Sequence, residues 1–174
     1  MDDMQRVLVL GCPGSGKSTL SRRIGPLLGL PVIHLDRLFW DPGWVSVSRE
    51  EFLQRLAHET LVKQGRWIMD GNFGATLSKR LKSADTAIYL DHGSFTCVLR
   101  VLKRVCTSYG RVRPDMGKDC PERLDLTFLK YVWNFRKTHR ADMMKSLDDF
   151  HLSGGRVIIL RNDREIEAFV KSLG

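Results

Sequence analysis

The sequence predicts an α/β fold, a parallel sheet wound on both faces by helices. Three observations predict it. Five short apolar runs alternate with stretches of helical period, the pattern of parallel strands joined by crossover helices. The first run leads straight into a glycine-rich turn, Gly11-Cys-Pro-Gly-Ser-Gly-Lys17-Ser18, and then into a helical pattern. The 174 residues match one domain and are too few for two ordinary ones. No repeat, low-complexity tract or linker divides them, so residues 1–174 are expected to form a single doubly wound domain.

The elements follow in order. The first strand is Arg6–Leu10, and a helix follows from about Lys17 to Leu28. The second strand, Val32–Leu35, ends at Asp36. A loop of aromatic and turn residues (Phe39, Trp40, Pro42, Gly43, Trp44) precedes a helix opening on Ser48-Arg-Glu-Glu51, a capping-box pattern. Its Phe52, Leu53, Leu56 and Leu61 fit one face. The third strand, Arg66–Met69, ends at Asp70-Gly71; a short helix near Thr76–Leu81 leads to the fourth, Thr86–Leu90, which ends at Asp91. In the next helix Phe95, Val98, Leu99, Leu102, Val105, Cys106 and Tyr109 are expected on one buried stripe. Gly110, Pro114, Gly117 and Pro121 then break the pattern, which makes residues 110–125 a candidate lid. A second long helix is expected from about Asp125 to Phe150, with Phe128, Tyr131, Val132 and Phe135 together. The fifth strand is Arg156–Leu160, and a last helix uses Ile166, Phe169, Val170 and Leu173.

Composition narrows the class. A globule of this length buries about 70% of its unfolded surface and needs no disulfide or metal staple. Apolar residues are 43% and charged ones 28%, which excludes a disordered chain. No apolar run approaches the ~18 residues of a membrane span, and the acidic start Met1-Asp2-Asp3 is unlike a signal peptide. Cys12, Cys97, Cys106 and Cys120 form no C-x-x-C pair and read as free thiols, hence an expected cytoplasmic location. The net charge of +8 is uneven: residues 100–140 carry 11 cations against 4 anions. Such a stretch calls for an anionic partner and leaves nucleotide phosphates, nucleic acid and acidic lipid open.

Gly11–Ser18 has the form G-x-x-x-x-G-K-[ST], the P-loop. Gly11, Gly14 and Gly16 let the backbone of Cys12, Pro13 and Ser15 curl so that N–H groups point at phosphate oxygens. The helix that starts at Lys17-Ser18-Thr19 adds its positive end. Lys17 supplies a charge to the β and γ phosphates, and the Ser18 hydroxyl suits Mg²⁺. The expected ligands are therefore ATP and Mg²⁺. Asp36, Asp70 and Asp91 each end a strand, where ligands of doubly wound sheets bind. Asp70 is the choice for holding Mg²⁺ through water, and Asp91 reads more simply as a cap or turn former. Arg100 and Arg104, spaced i, i+4, are candidates to clamp a transferring phosphate, with a solvated face as the plainer alternative. Arg111 and Arg113 lie in the break, where a lid would carry them over the phosphates; Arg123, Arg136 and Arg140 are weaker candidates. Phe39, Trp40 and Trp44 either wall an acceptor pocket or pack under a helix. The five histidines have no ligand spacing and read as structural.

This set resembles the adenylate-kinase-like small-molecule kinases: a P-loop, strand-end acids and paired arginines before an irregular lid. The resemblance implies a five-stranded sheet of order 2-3-1-4-5 and transfer of a phosphoryl group to a small acceptor. Asp70-Gly71 is similar to the Asp-Gly that ends the third strand of nucleoside monophosphate kinases, but continues as Asn72-Phe73, without the acceptor-phosphate arginine. By that likeness Gly71 and Asn72 join Trp40 as acceptor-pocket residues. Arg100 and the Arg161-Asn162-Asp163 loop are the adenine-side candidates. Asp36 stands where small hydroxyl kinases of this fold place an acid, which favours a hydroxyl acceptor over a phosphate and makes Lys17, Asp36 and Arg104 the expected catalytic set.

A second resemblance spans nearly the whole chain. Pro31-Val-Ile-His-Leu-Asp36, Pro42-Gly43-Trp44, Trp67-Ile-Met-Asp-Gly-Asn72, Arg111-Val-Arg-Pro-Asp115 and Cys120-Pro-Glu-Arg123 are similar to the bacterial topology modulation (FlaR-related) family. That name implies an influence on DNA topology, for which these residues offer no chemistry. Three functions follow as alternatives: a small phosphotransferase, a nucleic-acid-associated ATPase using the basic stretch, and an ATP-dependent switch.

Overall fold

The computed structural model describes residues 4–174. Five parallel strands build one sheet in the order β2-β5-β1-β6-β7: β1 (Arg6–Gly11), β2 (Val32–His34), β5 (Trp67–Asp70), β6 (Thr86–Leu90) and β7 (Arg156–Leu160). Counted within the sheet alone, that order is 2-3-1-4-5. The short strands β3 (Trp40–Asp41) and β4 (Val45–Ser46) pair separately as an antiparallel hairpin that the sequence reading did not include.

The central strands are apolar on both faces because helices cover both. Val7, Val9, Ile68, Ile88 and Leu90 face α1 (Lys17–Leu28) and α7 (Asp163–Leu173), meeting Leu20, Ile24 and Ile166. Leu8, Leu10, Met69, Ala87 and Tyr89 face the other way. There they meet α3 (Arg49–Val62), α4 (Gly74–Ser83) and α6 (Leu126–Leu152) through Phe52, Leu56, Leu77, Leu81, Leu147 and Phe150. The period of two along β1 thus sorts its side chains into two cores. A third cluster joins the glycine-rich turn to α5 (Ser94–Ser108) and α6: Cys12, Cys97, Val101, Val105, Val132 and Phe135. The helix-start reading at Ser48 holds, its hydroxyl accepting from the Glu51 N–H at 3.1 Å.

Two expectations are corrected. The second strand stops at His34, and Leu35–Phe39 is the short helix α2, with Asp36 in its first turn. Burial of Leu35 under the sheet turns the chain there, so Asp36 follows the strand end on a helix. The stripe expected on α5 is shifted: Cys97, Val101 and Val105 are buried, and of the expected positions Phe95, Leu99, Cys106 and Tyr109 are exposed. One partner helix and one loop cover this face, so only a narrow i, i+4, i+8 seam is used. Tyr131 on α6 is likewise exposed.

An arginine that the sequence reading passed over organises the loop after β5. Arg80 on α4 is 3% exposed. Its guanidinium donates to the carbonyls of Gly71 (3.1 Å), Asn72 and Phe73 (3.2 Å), and its Nε to the Thr76 hydroxyl (3.1 Å). Burial lowers its pKa to about 10, still charged at neutral pH. Arg80→Ala leaves three carbonyls without their donor. It should cost about 3 kcal/mol in urea denaturation, where Lys79→Ala on the exposed side of α4 should change stability by less than about 0.5 kcal/mol.

Candidate active site

The P-loop runs from the end of β1 into α1. Gly11, Gly14 and Gly16 take φ of 143°, 84° and 98°, a region that side chains enter only under strain. A Cβ on Gly14 would stand 2.5 Å from the Cys97 carbonyl oxygen, so the loop lies directly on α5. The Ser15 N–H closes the turn on the Cys12 carbonyl at 3.0 Å, and Lys17 Nζ donates to the same carbonyl at 3.1 Å. The Ser15 hydroxyl is fully buried without a partner, a polar atom inside the curl that a phosphate oxygen would satisfy. The residues present therefore fit a bound triphosphate. Cys12 and Cys97 are free thiols in contact, and Cys12 Sγ donates to the Val132 carbonyl at 3.6 Å; the Cys97 contact and burial push the Cys12 thiol up, which keeps it a packing group rather than a nucleophile.

Asn72 ties this loop to the neighbouring strand end. Its Oδ1 accepts the Gly11 N–H at 3.0 Å, and its Nδ2 donates to the Gly11 carbonyl at 2.7 Å. Both ends of the Asn72 amide are thus turned to the P-loop rather than to an acceptor.

The strand-end acids divide. Asp70 is 5% exposed and its Oδ2 lies 2.8 Å from His34 Nδ1, across the β2–β5 register. Asp36 is partly buried close by. Burial and the Asp70 charge raise its pKa to about 6, against the opposing charges of Lys17 and Arg113. Asp91 is turned elsewhere: Arg140 holds it through Nε (3.0 and 3.1 Å) and Nη2 (2.8 Å), with Arg136 at 3.7 Å. It fastens α6 to the end of β6, which also removes Arg136 and Arg140 from the lid side.

The 109–125 connection is pinned at both edges by bridges, Tyr109 with Glu122 and Val112 with Pro121. It docks on the β3–β4 hairpin. Trp44 Nε1 donates to the Pro121 carbonyl (3.1 Å), the Gly43 N–H to the Asp119 carbonyl (3.0 Å), and Arg123 stacks 5.3 Å from the Trp44 ring centre. At Gly117 a Cβ would sit 2.2 Å from the Trp40 carbonyl oxygen, so only glycine permits this approach. Inside, Arg113 bonds Asp115 (2.7 Å) and pairs with Glu122 (2.9 Å), and Glu122 also takes Arg104 (2.9 Å). Burial pushes the Asp115 carboxyl up, but Arg113, its own backbone N–H, His34 and the Ser18 hydroxyl together bring it below the usual range. Arg111 is exposed and stays outside this network.

On the far side of the P-loop, Arg100 Nη2 lies 2.7 Å from both oxygens of Asp163 and its Nη1 donates to the Ser15 carbonyl at 3.3 Å. His92 Nε2 is 3.3 Å from the same Asp163. The expected adenine-side pair is thus joined by an ion pair.

The structure gathers Lys17, Ser18, Asp36, Asp70 and Arg113 around one crevice, and adds His34, Asp115 and Glu122, which the sequence reading did not assign. Asp115 and Glu122 fall within segments quoted for the second resemblance; their neighbours Arg113 and Arg123 drew attention instead. Of the eleven cations in residues 100–140, Arg100, Arg104, Arg113, Arg136 and Arg140 are ion-paired; Lys103, Arg111, Lys118, Arg123, Lys130 and Lys137 are exposed. Among the described residues no three His, Cys, Asp or Glu side chains form a metal-ligand set, and no helix is long and apolar enough to cross a membrane.

Known proteins place the fold. No family model matches the chain, and no curated protein matches it. Among solved structures, one described as a "putative kinase" of Chloroflexus aurantiacus aligns with a TM-score of 0.57 at 19% identity, covering 99% of this chain and 97% of that one. Shikimate kinase from Acinetobacter baumannii, in complex with shikimate, aligns with a TM-score of 0.54 at 15% identity, covering 98% and 90%. The chain shares the α/β fold of these two structures.

An acid raised to about 6 destabilises the folded chain wherever it is ionised. Unfolded, Asp36 titrates near 3.8. The penalty is absent below about pH 4, grows between the two values and is complete above pH 6. Asp36→Asn should therefore stabilise the protein by about 1–3 kcal/mol at pH 8 and by almost nothing at pH 4, measured by chemical denaturation at both.

Proposed function

We propose that the protein is a phosphotransferase that moves the γ-phosphoryl group of Mg·ATP to a hydroxyl of a small acceptor. The observation that carries this reading is the placement of Asp36. A carboxylate with a pKa of about 6 stands beside Lys17 at the mouth of a P-loop, poised to take a proton near neutral pH. A nucleoside monophosphate needs a cationic pocket and no base. The position after Asp70-Gly71 carries Asn72, whose amide is spent on Gly11.

In this reading the P-loop backbone and Lys17 hold the β and γ phosphates, and Arg100 braces the loop through the Ser15 carbonyl. Ser18 and, through water, Asp70 would hold Mg²⁺, which supplies charge neutralisation to the phosphates. His34 orients the Asp70 carboxylate. The 109–125 connection acts as a lid, and its contacts with the β3–β4 hairpin exclude water from the crevice. Trp40 and Gly71 line the acceptor side. Arg113 and Arg104, the lid-side cations, stay near the transferring group through Glu122. Arg111 serves at most the outer rim. The four free cysteines fit a reducing, cytoplasmic compartment.

ADP release from Mg·ATP, followed across nucleoside monophosphates, alcohols, sugars and DNA, tests the class. Lys17→Ala should remove turnover with every acceptor, at least 100-fold; full activity without Lys17 would refute the assignment. Asp36→Asn should lose 100-fold or more in kcat while the Kd for ATP stays within about twofold, a size typical of general-base loss. In the unaltered enzyme kcat/KM should rise with pH through about 6 as Asp36 ionises, and that rise should vanish in the Asn variant. Stimulation by DNA alone would instead favour the nucleic-acid-associated ATPase.

A further inference from the structure

The charges around the acceptor side of the crevice carry a statement about the acceptor itself. Four carboxylates meet there: Asp36 and Asp70 from the strand ends, Asp115 and Glu122 from the lid. Two guanidiniums meet them, Arg104 and Arg113. Both are already committed. Arg113 lies 2.7 Å from Asp115 and 2.9 Å from Glu122, and Arg104 lies 2.9 Å from Glu122. Asp115 and Glu122 are each 6% exposed in their side chains, so solvent screens these pairs little. Lys17 sits on the P-loop carbonyl of Cys12, on the phosphate side. The nearby Arg37 and Arg111 are exposed and enter no ion pair. Inside the crevice a carboxylate or phosphate on the acceptor would thus find both guanidiniums already paired and would lie against the Asp36 and Asp115 carboxylates, with the free Arg37 and Arg111 only at the exposed surface. Trp40, partly exposed at the hairpin edge and packed edge-on against Phe39 and Trp44, offers an aromatic face of the kind that attracts a cation.

We propose that the acceptor is an amine-bearing alcohol, an amino sugar or amino alcohol, and not a hydroxy acid or a nucleotide. This rests on the phosphotransferase reading above. The acceptor ammonium lies between Asp115 and the Trp40 face, which leaves a hydroxyl toward Asp36. In the transfer the acceptor O–H proton passes to the Asp36 carboxylate and the oxygen bonds the γ-phosphorus. The bond from that phosphorus to the β–γ bridging oxygen breaks, and its electron pair leaves with ADP.

The test uses the full chain with Mg·ATP at pH 7.5 and sets of acceptors matched in shape but not in charge. These are glucosamine, glucose and glucuronate; serinol, glycerol and glycerate; streptamine, myo-inositol and quinate; shikimate and AMP complete the anionic arm. ADP release is read beside product mass, and binding of each compound to the Mg·ADP complex is read by thermal shift. Within at least one set, kcat/KM should be at least tenfold higher for the amine than for the neutral alcohol and at least 100-fold higher than for the acid. Preference for an acid or for AMP, equal rates within every set, or no amine either bound or phosphorylated would overturn the proposal. The first two outcomes would leave the phosphotransferase standing. Tight amine binding with ADP release at background in every well would overturn the phosphotransferase instead and keep the charge class of the ligand.

Glu122→Gln provides the second arm. It frees Arg104 and loosens Arg113, so the ratio of amine to acid, in rate or in binding, should fall at least tenfold. A variant that merely loosens the fold would lower all members of a set alike. An unchanged ratio in a folded variant would count against the proposal.

Discussion

The pairing of β1 with β5, closed at its end by the reciprocal hydrogen bonds between Asn72 and Gly11, is the constraint on which the site depends. Parallel neighbours present their carboxyl ends at the same edge of the sheet, so the P-loop and the β5 acid arrive side by side. The side-chain amide then fastens the first P-loop glycine to the residue two places beyond Asp70. Arg80 holds the same loop from behind through three carbonyls. The P-loop is therefore gripped on one side by β5 and on the other by α5, where Gly14 touches the Cys97 carbonyl. A loop that must offer its backbone to an anion is held at both flanks by groups that never reach that anion.

The same economy governs the lid. Asp115 and Glu122 are buried acids in an irregular segment, and each is stable there only because Arg113 and Arg104 accompany it. Those guanidiniums are consequently bound to fixed partners rather than held open for a substrate anion. Part of the basic stretch that dominates the linear charge map thus becomes, in three dimensions, a set of ion pairs joining α5 to the lid, α5 to α7 and α6 to β6, while Lys103, Arg111, Lys118, Arg123, Lys130 and Lys137 stay exposed. Asp36 is the counterexample, an acid in a costly place with no ion pair of its own, the kind of local inconsistency that marks functional chemistry.

How much of this was legible along the chain depends on the range of the interaction. Helix α1 and strands β6 and β7 begin and end where periodicity and turn residues place them, because their boundaries are set by local signals and the strands are apolar throughout. The P-loop was equally plain, since its glycines and lysine act through their own backbone and near neighbours. The α5 stripe was displaced toward the exposed side because period alone cannot say which edge of a broad apolar face a partner will cover. Arg80 escaped notice because nothing in a polar helix position announces burial.

The sequence by itself determined the fold class, the strand sequence and the phosphate-binding loop, all of which follow from hydrophobic period and backbone freedom over a few residues. Tertiary structure alone decided which acids face the crevice and which are fasteners. Asp36, Asp70 and Asp91 look alike as strand-end residues, yet Asp91 is consumed by Arg140, 49 positions away. It also decided which arginines are paired, for Arg100, Arg104 and Arg113 found their carboxylates across 63, 18 and 2 residues of chain, and the lid reached the aromatic hairpin across more than 70. Charge pairing and close approach act through space, and their partners are chosen only when the sheet has set the distances.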